Sequence, residues 1–181
     1  MRMQHRRVAG NTLIEFTLVG IPIVFLLVSV FEMSRGMWLY HTLATAVREG
    51  TRLAVVHCGD CNLYPNSCAV TVRTVANRIR DAAVGLPPSD IQNVTLTSST
   101  RTITCPSLED CIKAGSLGDT YWPAGAPGAV ADVGANRRAP VEIAASFPFR
   151  SAIAMFWPGA GRGQQFGLFS LPASSRELIQ Y

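Results

Sequence analysis

The sequence predicts an α+β protein: a long N-terminal transmembrane helix that continues into an extracytoplasmic domain with a small antiparallel sheet. Three observations predict it. From Leu13 to Phe31, fourteen of nineteen residues are Leu, Ile, Val or Phe, and the only charge is Glu15; about 20 apolar residues suffice to cross a bilayer core as a helix. From Gly36 to His57 there is no proline, and apolar residues (Trp38, Leu39, Leu43, Ala46, Val47, Leu53, Ala54) recur at helical spacing around Arg48, Glu49 and Arg52. Farther on, Val141, Ile143, Ala145, Phe147 and Phe149 alternate with Glu142, Ala144, Ser146 and Pro148, as in a strand with one buried face. A chain of 181 residues has room for an anchor and one domain.

The two helical stretches join into one helix from about Asn11 to about His57, roughly 70 Å long at 1.5 Å per residue, with the membrane part at about 13–34. Pro22 falls inside it and predicts a slight bend, which a membrane helix tolerates. Arg2, His5, Arg6 and Arg7 precede the apolar run with no acidic residue among them, whereas Glu32 and Arg35 cancel beyond it. Positive flanks stay in the cytoplasm, so the chain is expected to cross once, N-terminus inside, with residues 58–181 outside. A cysteine-rich loop, Cys58 to Cys68, leads to a second helix from about Ala69 to Val84. There Val72, Val75, Ala76, Ile79 and Ala83 form one face, Asn66 or Ser67 caps the start, and Gly85, Pro87 and Pro88 end it. One strand is expected around Ile91 to Thr104, then a loop through Ala114 to Arg138 rich in Gly, Ala and Pro. After the strand at 141–149 come an apolar stretch, Ala152 to Trp157, a Gly-rich one, Pro158 to Gly163, and a last strand at Phe166 to Ser175.

The net charge of +4 is in part this topology signal; the remaining arginines are scattered, without a basic stripe or interleaved aromatics, so a nucleic-acid partner is not expected. All five cysteines lie beyond the membrane run, and in an oxidising exterior they read as disulfide candidates with one thiol over. Cys105 and Cys111 close a local loop and form the preferred pair. Among Cys58, Cys61 and Cys68 the sequence does not choose, although Cys58–Cys68 is less strained than closing Cys58–Cys61. Cys58-Gly-Asp-Cys61 has the spacing of a redox pair but follows a helix rather than a strand-to-helix turn, and a zinc site with His57 and Cys68 is the lesser alternative. His5, His41 and His57 are far apart, with no nucleophile elbow near them. Gly159-Ala-Gly161-Arg-Gly163 lacks the Lys-Ser/Thr and following helix of a phosphate loop. No catalytic residue, metal or cofactor is expected, and the protein is not expected to be an enzyme.

The informative segment is Arg6-Arg7-Val8-Ala9-Gly10-Asn11-Thr12-Leu13-Ile14-Glu15-Phe16. Basic residues lead to a glycine, and a glutamate falls five positions later at the head of the apolar run. A secretory signal is cleaved after its apolar region; here processing would precede it, which resembles the prepilin class. That resemblance implies a basic leader at 1–10, cleavage between Gly10 and Asn11 by a prepilin peptidase, and Glu15 pairing with the free amine of a neighbouring subunit. Without it, Glu15 is a carboxylate that snorkels to the headgroups.

Glu15-Phe16, Phe31-Glu32-Met33-Ser34-Arg35-Gly36 and Ala46-Val47-Arg48-Glu49-Gly50-Thr51-Arg52-Leu53-Ala54 resemble the TadE-like family, with the likeness covering about residues 6–57. These are minor pseudopilins of the Tad (Flp) pilus machinery, a branch of the type IV pilus and type II secretion systems. Leu171-Pro172-Ala173-Ser174-Ser175 and Glu177 are similar to the family's ending. Asn11 departs from the Phe or Met that many pilin-type sites carry after the glycine. The resemblance implies a pilin-like domain, a bacterial inner-membrane location with the domain in the periplasm, and incorporation into a pilus. The expected partners are other pilins or pseudopilins, the pilus assembly platform, prepilin peptidase and the lipid bilayer. The alternatives are a membrane-tethered envelope module that enters no filament and a redox factor that cycles Cys58 and Cys61.

Overall fold

The structure, a computed structural model, describes residues 9–57, 70–99, 101–113, 115, 117–123, 140–151 and 168–178, with the side chains of α1 from residue 13 and of β4 from residue 169. Helix α1 runs Ala9–His57, with Pro22 inside it. The chain divides into two compact units, and the division falls within α1, between Met37 and Trp38.

In the first unit α1 buries almost nothing. Leu13, Ile14, Phe16, Leu18, Val24, Leu26, Phe31 and Met33 are all exposed. Among the described side chains, Thr17 donates to the Ile14 carbonyl and Ser29 to the Phe25 carbonyl, so these hydroxyls are satisfied within the helix on an otherwise apolar surface. The run is long and apolar enough to cross a membrane.

In the second unit α1 becomes a core element. Leu39, Leu43, Ala46, Val47, Thr51 and Ala54 are buried, while His41, Thr45, Arg48 and Arg52 on the opposite face are exposed, the periodicity of an amphipathic helix. Helix α2, Val72–Ala82, buries Val72, Val75, Ala76 and Ile79, the face the sequence predicts. It is shorter than expected. Its cap is Thr71, whose hydroxyl accepts from the Thr74 amide, whereas Asn66 and Ser67 lie outside the described residues. Gly85 follows with φ +82°, a left-handed conformation that glycine adopts without strain.

The single strand expected at 91–104 is in fact a hairpin, β1 (Gln92–Thr97) and β2 (Thr102–Ser107), turned by Ser98 to Arg101. The Ser98 hydroxyl donates to the Arg101 carbonyl and accepts from the Arg101 amide, so side-chain bonds replace the usual Gly or Asn turn chemistry. A short helix that the sequence reading missed, α3 (Leu108–Ile112), follows directly, capped by Ser107. β3 (Pro140–Arg150) and β4 (Leu168–Leu178) pair along their whole lengths, Val141 opposite Glu177 and Arg150 opposite Leu168. The last strand therefore runs past its expected end at Ser175, to Leu178. The antiparallel sheet has order β2-β1-β3-β4, four strands rather than three. Val94, Leu96, Ile103, Cys105 and the alternating apolar set of β3 face the helices in one core.

The disulfide between Cys105 and Cys111 is present, S–S 2.05 Å with Cα atoms 5.7 Å apart, and it ties β2 to α3 with both cysteines fully buried. Cys58, Cys61 and Cys68 lie outside the described residues, as do residues 1–8, the 152–167 stretch and most of the 114–138 loop.

Candidate assembly helix and its docking to the domain

The residues singled out in the sequence fall on one element. Gly10 and Asn11 lie in the first turns of α1, with side chains outside the described set; Glu15 and Phe16 are one turn further, and both are exposed. Glu32 is different: its side chain is only 8% exposed, and its carboxylate lies 3.6 Å from the Arg35 guanidinium, one helical turn on.

The Arg48-Glu49-Gly50-Thr51-Arg52 stretch sits where α1 meets α2, and its residues divide by face. Gly50 points at α2: a Cβ there would lie 2.5 Å from Ile79 Cγ1 and 2.9 Å from Cδ1, so only glycine lets the two helices approach this closely. Thr51 is buried but donates its hydroxyl to the Val47 carbonyl at 3.0 Å, leaving no unsatisfied group. Glu49 reaches across to α2, accepting from Arg78 Nη2 at 2.8 Å, and also meets Arg52 Nη1 at 3.4 Å. The Arg78 hydrogen bond, with the nearby Arg78 and Arg52 charges, holds the Glu49 carboxyl below its ordinary range against a modest desolvation. Arg48 is exposed on the far face. The motif is thus a helix–helix contact: a glycine for approach, a glutamate for the cross-link and arginines facing water. Of its partners, Ile79 was read from the sequence on the buried face of α2, though not as a contact of Gly50, and Arg78 beside it was not singled out.

A second anchoring point also went unread. Residues 118–122 run beside the start of α2, with Val72 N donating to Thr120 O, Arg73 N to Gly118 O and Trp122 N to Val70 O. Trp122 is fully buried, and its Nε1 has no partner among the described residues. Arg73 Nε donates to the Ile112 carbonyl at 3.0 Å. Its Nη2 lies 2.7 Å from Asp119 Oδ1, an ion pair by distance whose angles fall outside hydrogen-bond geometry. At α3 the Asp110 carboxyl is held below its ordinary range by the Ser107 hydroxyl and by Lys113, whose own amine is raised by Asp110 and Glu109.

Among the described residues no group of His, Cys, Asp and Glu is arranged to hold a metal. His41 is exposed on α1 and meets the Tyr40 ring edge-on at 5.8 Å. A shallow open groove is lined by Tyr40, Asn93, Ser146, Ser170 and Ser174, where Asn93 Nδ2 donates to Ser146 Oγ and Ser146 Oγ to the Gln92 carbonyl.

A helix that is apolar and outward-facing in one half and built into an α+β domain in the other fits the class of single-helix membrane-anchored proteins. Within that class, a family model described as TadE-like protein matches residues 10–52, the family that the helix residues resemble. The match runs from Gly10 through the apolar half and ends on Arg52, the last residue of the α2-docking motif. No curated protein and no solved structure matches the chain.

Proposed function

We propose that this chain is a non-enzymatic minor pseudopilin-like subunit of a Tad-type pilus or a related secretion filament, assembled through its N-terminal helix. The TadE-like match at 10–52 carries the reading, since that family points to Tad pilus association. The exposed apolar surface of α1 supports it: this is the surface that lipid covers in the membrane and that other pilin helices would cover in a filament. In this reading the N-terminus is cytoplasmic, the sheet domain is periplasmic in a bacterial envelope, and the leader ends at Gly10.

Glu15 is the residue on which assembly turns. Once the leader with Arg2, Arg6 and Arg7 is removed, the new amine at Asn11 is the cation nearest the head of the helix. A carboxylate in the apolar run is stabilised when a neighbour's ammonium meets it, by several kcal/mol of Coulomb attraction at intermediate dielectric before desolvation is subtracted. The test has two arms. N-terminal sequencing of the membrane-resident protein is expected to begin at Asn11, with Gly10→Ala retaining most of the leader. Glu15→Gln is expected to leave cleavage and insertion intact but to weaken co-purification with other pilins. Unchanged association in a normally cleaved Glu15→Gln protein returns Glu15 to a headgroup-snorkelling role. Absence of cleavage in the wild-type protein favours a tethered envelope module.

A further inference from the structure

Among the described strands β2 and β4 are the outer two of the sheet, and an outer strand carries backbone N–H and C=O groups that no neighbouring strand bonds. Which residues carry them follows from the hairpin. Ser98 N donates to Arg101 O at 2.8 Å, closing the β1–β2 turn. Opposed residues in an antiparallel pair alternate between bonded and non-bonded, so the register carries that one bond across the sheet. Leu96 opposite Ile103 and Val94 opposite Cys105 are then bonded pairs, and Thr102, Thr104 and Pro106 direct their backbone groups outward. On the other side of β1, Thr95 and Thr97 bond Ala144 and Glu142 of β3. The odd-numbered residues of β3 therefore bond β4, from Val141 opposite Glu177 to Phe149 opposite Phe169. The outward groups of β4 belong to Leu168, Ser170, Pro172, Ser174, Arg176 and Leu178.

Both outer strands thus hold a proline at an outward position. Pro106 lies next to the end of β2, and Pro172 is the fifth of eleven residues in β4; both are exposed. Neither removes a bond from the sheet, because each nitrogen faces away from the neighbouring strand, whereas a proline one residue earlier or later would break the ladder. An added strand would meet a ring where it needs an N–H, and its own carbonyl would be enclosed without a donor. On β4 a second copy pairing antiparallel beyond Pro172 has Ser174, Arg176 and Leu178 to use. The register that uses all of them sets Arg176 against Arg176, and like charges directly opposite oppose pairing.

We infer that Pro106 and Pro172 close the two edges of the sheet to strand addition, so that copies of this domain do not join edge to edge into a continuous sheet. The inference concerns the domain alone and stands apart from the pilus reading. The strand excluded is that of a second copy, which presents the same two edges.

The experiment uses the full chain reconstituted in phosphatidylcholine vesicles, with photoreactive benzoylphenylalanine in place of Ser174 on β4. Wild type, Pro172→Val and Ser170→Val are irradiated, and the peptide joined to residue 174 is mapped by mass. Pro172→Val restores the missing N–H; Ser170→Val adds the same side chain where the N–H is already present. Cross-links from residue 174 to residues 168–178 of a second copy are expected to be several-fold more abundant in Pro172→Val than in either other protein. Equal cross-linking in wild type and Pro172→Val, whether high or absent, overturns the closure of β4. An equal rise in Ser170→Val also overturns it, because the side chain rather than the N–H is then the cause. The matching pair on β2, wild type against Pro106→Val with the photoreactive group at Thr104, tests the other edge by the same criterion and decides alone where Pro172→Val fails to fold.

Discussion

The two halves of α1 carry leucines to opposite fates. Leu26 is 63% exposed and Leu43 fully buried, although both are leucines in the same uninterrupted helix. What separates them is what lies between the apolar residues. Around Leu26 nearly every neighbour is apolar, so no face is preferred and the whole circumference suits lipid. Around Leu43, polar His41, Thr45, Arg48 and Arg52 fall on one side and small residues Ala46, Gly50 and Ala54 on the other, so one face fits a sheet and a second helix. The difference teaches that hydrophobicity alone does not place a residue in a core; the spacing of polar and small residues selects the solvent.

The largest effects should break this comparison outright. Trp122→Ala removes a fully buried indole and should destabilise the domain by about 3–5 kcal/mol, read by thermal or denaturant unfolding of the reconstituted chain. Leu43→Ala should lose about 2–5 kcal/mol in the same measurement, whereas Leu26→Ala should leave domain unfolding essentially unchanged. Equal losses for the two leucines would mean that the first half of α1 is also a core element. Leu26→Asp should instead cost about 2.5–3.5 kcal/mol of membrane insertion and release part of the chain on alkaline extraction.

Two intermediate tests sharpen the docking of the second half. The paired change Cys105→Ser with Cys111→Ser should lower stability by about 2–3 kcal/mol, the scale expected for a short closed loop, and the loss should match that of the reduced wild-type protein. Gly50→Ala should destabilise by about 1–3 kcal/mol through the collision with Ile79, partly offset by about 1 kcal/mol of helix propensity. Gly50→Ala combined with Ile79→Ala, which removes the clashing Cγ1 and Cδ1, should cost less than the sum of the two single changes if that collision is the cause; strictly additive losses would remove Gly50 from the contact.

The smallest effect is a pH dependence. Glu49 has a lowered folded-state pKa, chiefly through Arg78, so its contribution is present above its unfolded pKa and is lost as pH falls through the ordinary carboxylate range and below it. Asp110, lowered by Ser107 and Lys113, adds in the same direction. Glu49→Gln should therefore flatten the acid limb of the stability profile and leave neutral-pH unfolding little changed, because the pair is solvent-screened. An unaltered acid limb would show that the cross-link contributes nothing.

The reach of the sequence is visible element by element. α1 and the buried face of α2 were legible because long periodic stretches carry their own signal, and β3 because its alternation spans a full strand. The β1–β2 hairpin was not legible, since Ser98 makes its turn by side-chain bonds without Gly, Pro or Asn. α3 is too short for periodicity, although Ser107 followed by Glu109 and Asp110 is a capping pattern. β4 is an edge strand, and Ser175 and Glu177 on its inner face blur the alternation that places it. The helix motif was legible as a family pattern, but its partner Arg78 is 29 residues away and only the folded chain brings it to Glu49.

The central claim is that α1 passes from lipid into an external domain, and orientation tests it most directly. A reporter active only in the periplasm, fused after Tyr181, should be active, and the same fusion to a cytoplasm-only reporter should be silent, with the chain in the membrane fraction in both cases. A silent periplasmic reporter beside an active cytoplasmic one would contradict the account.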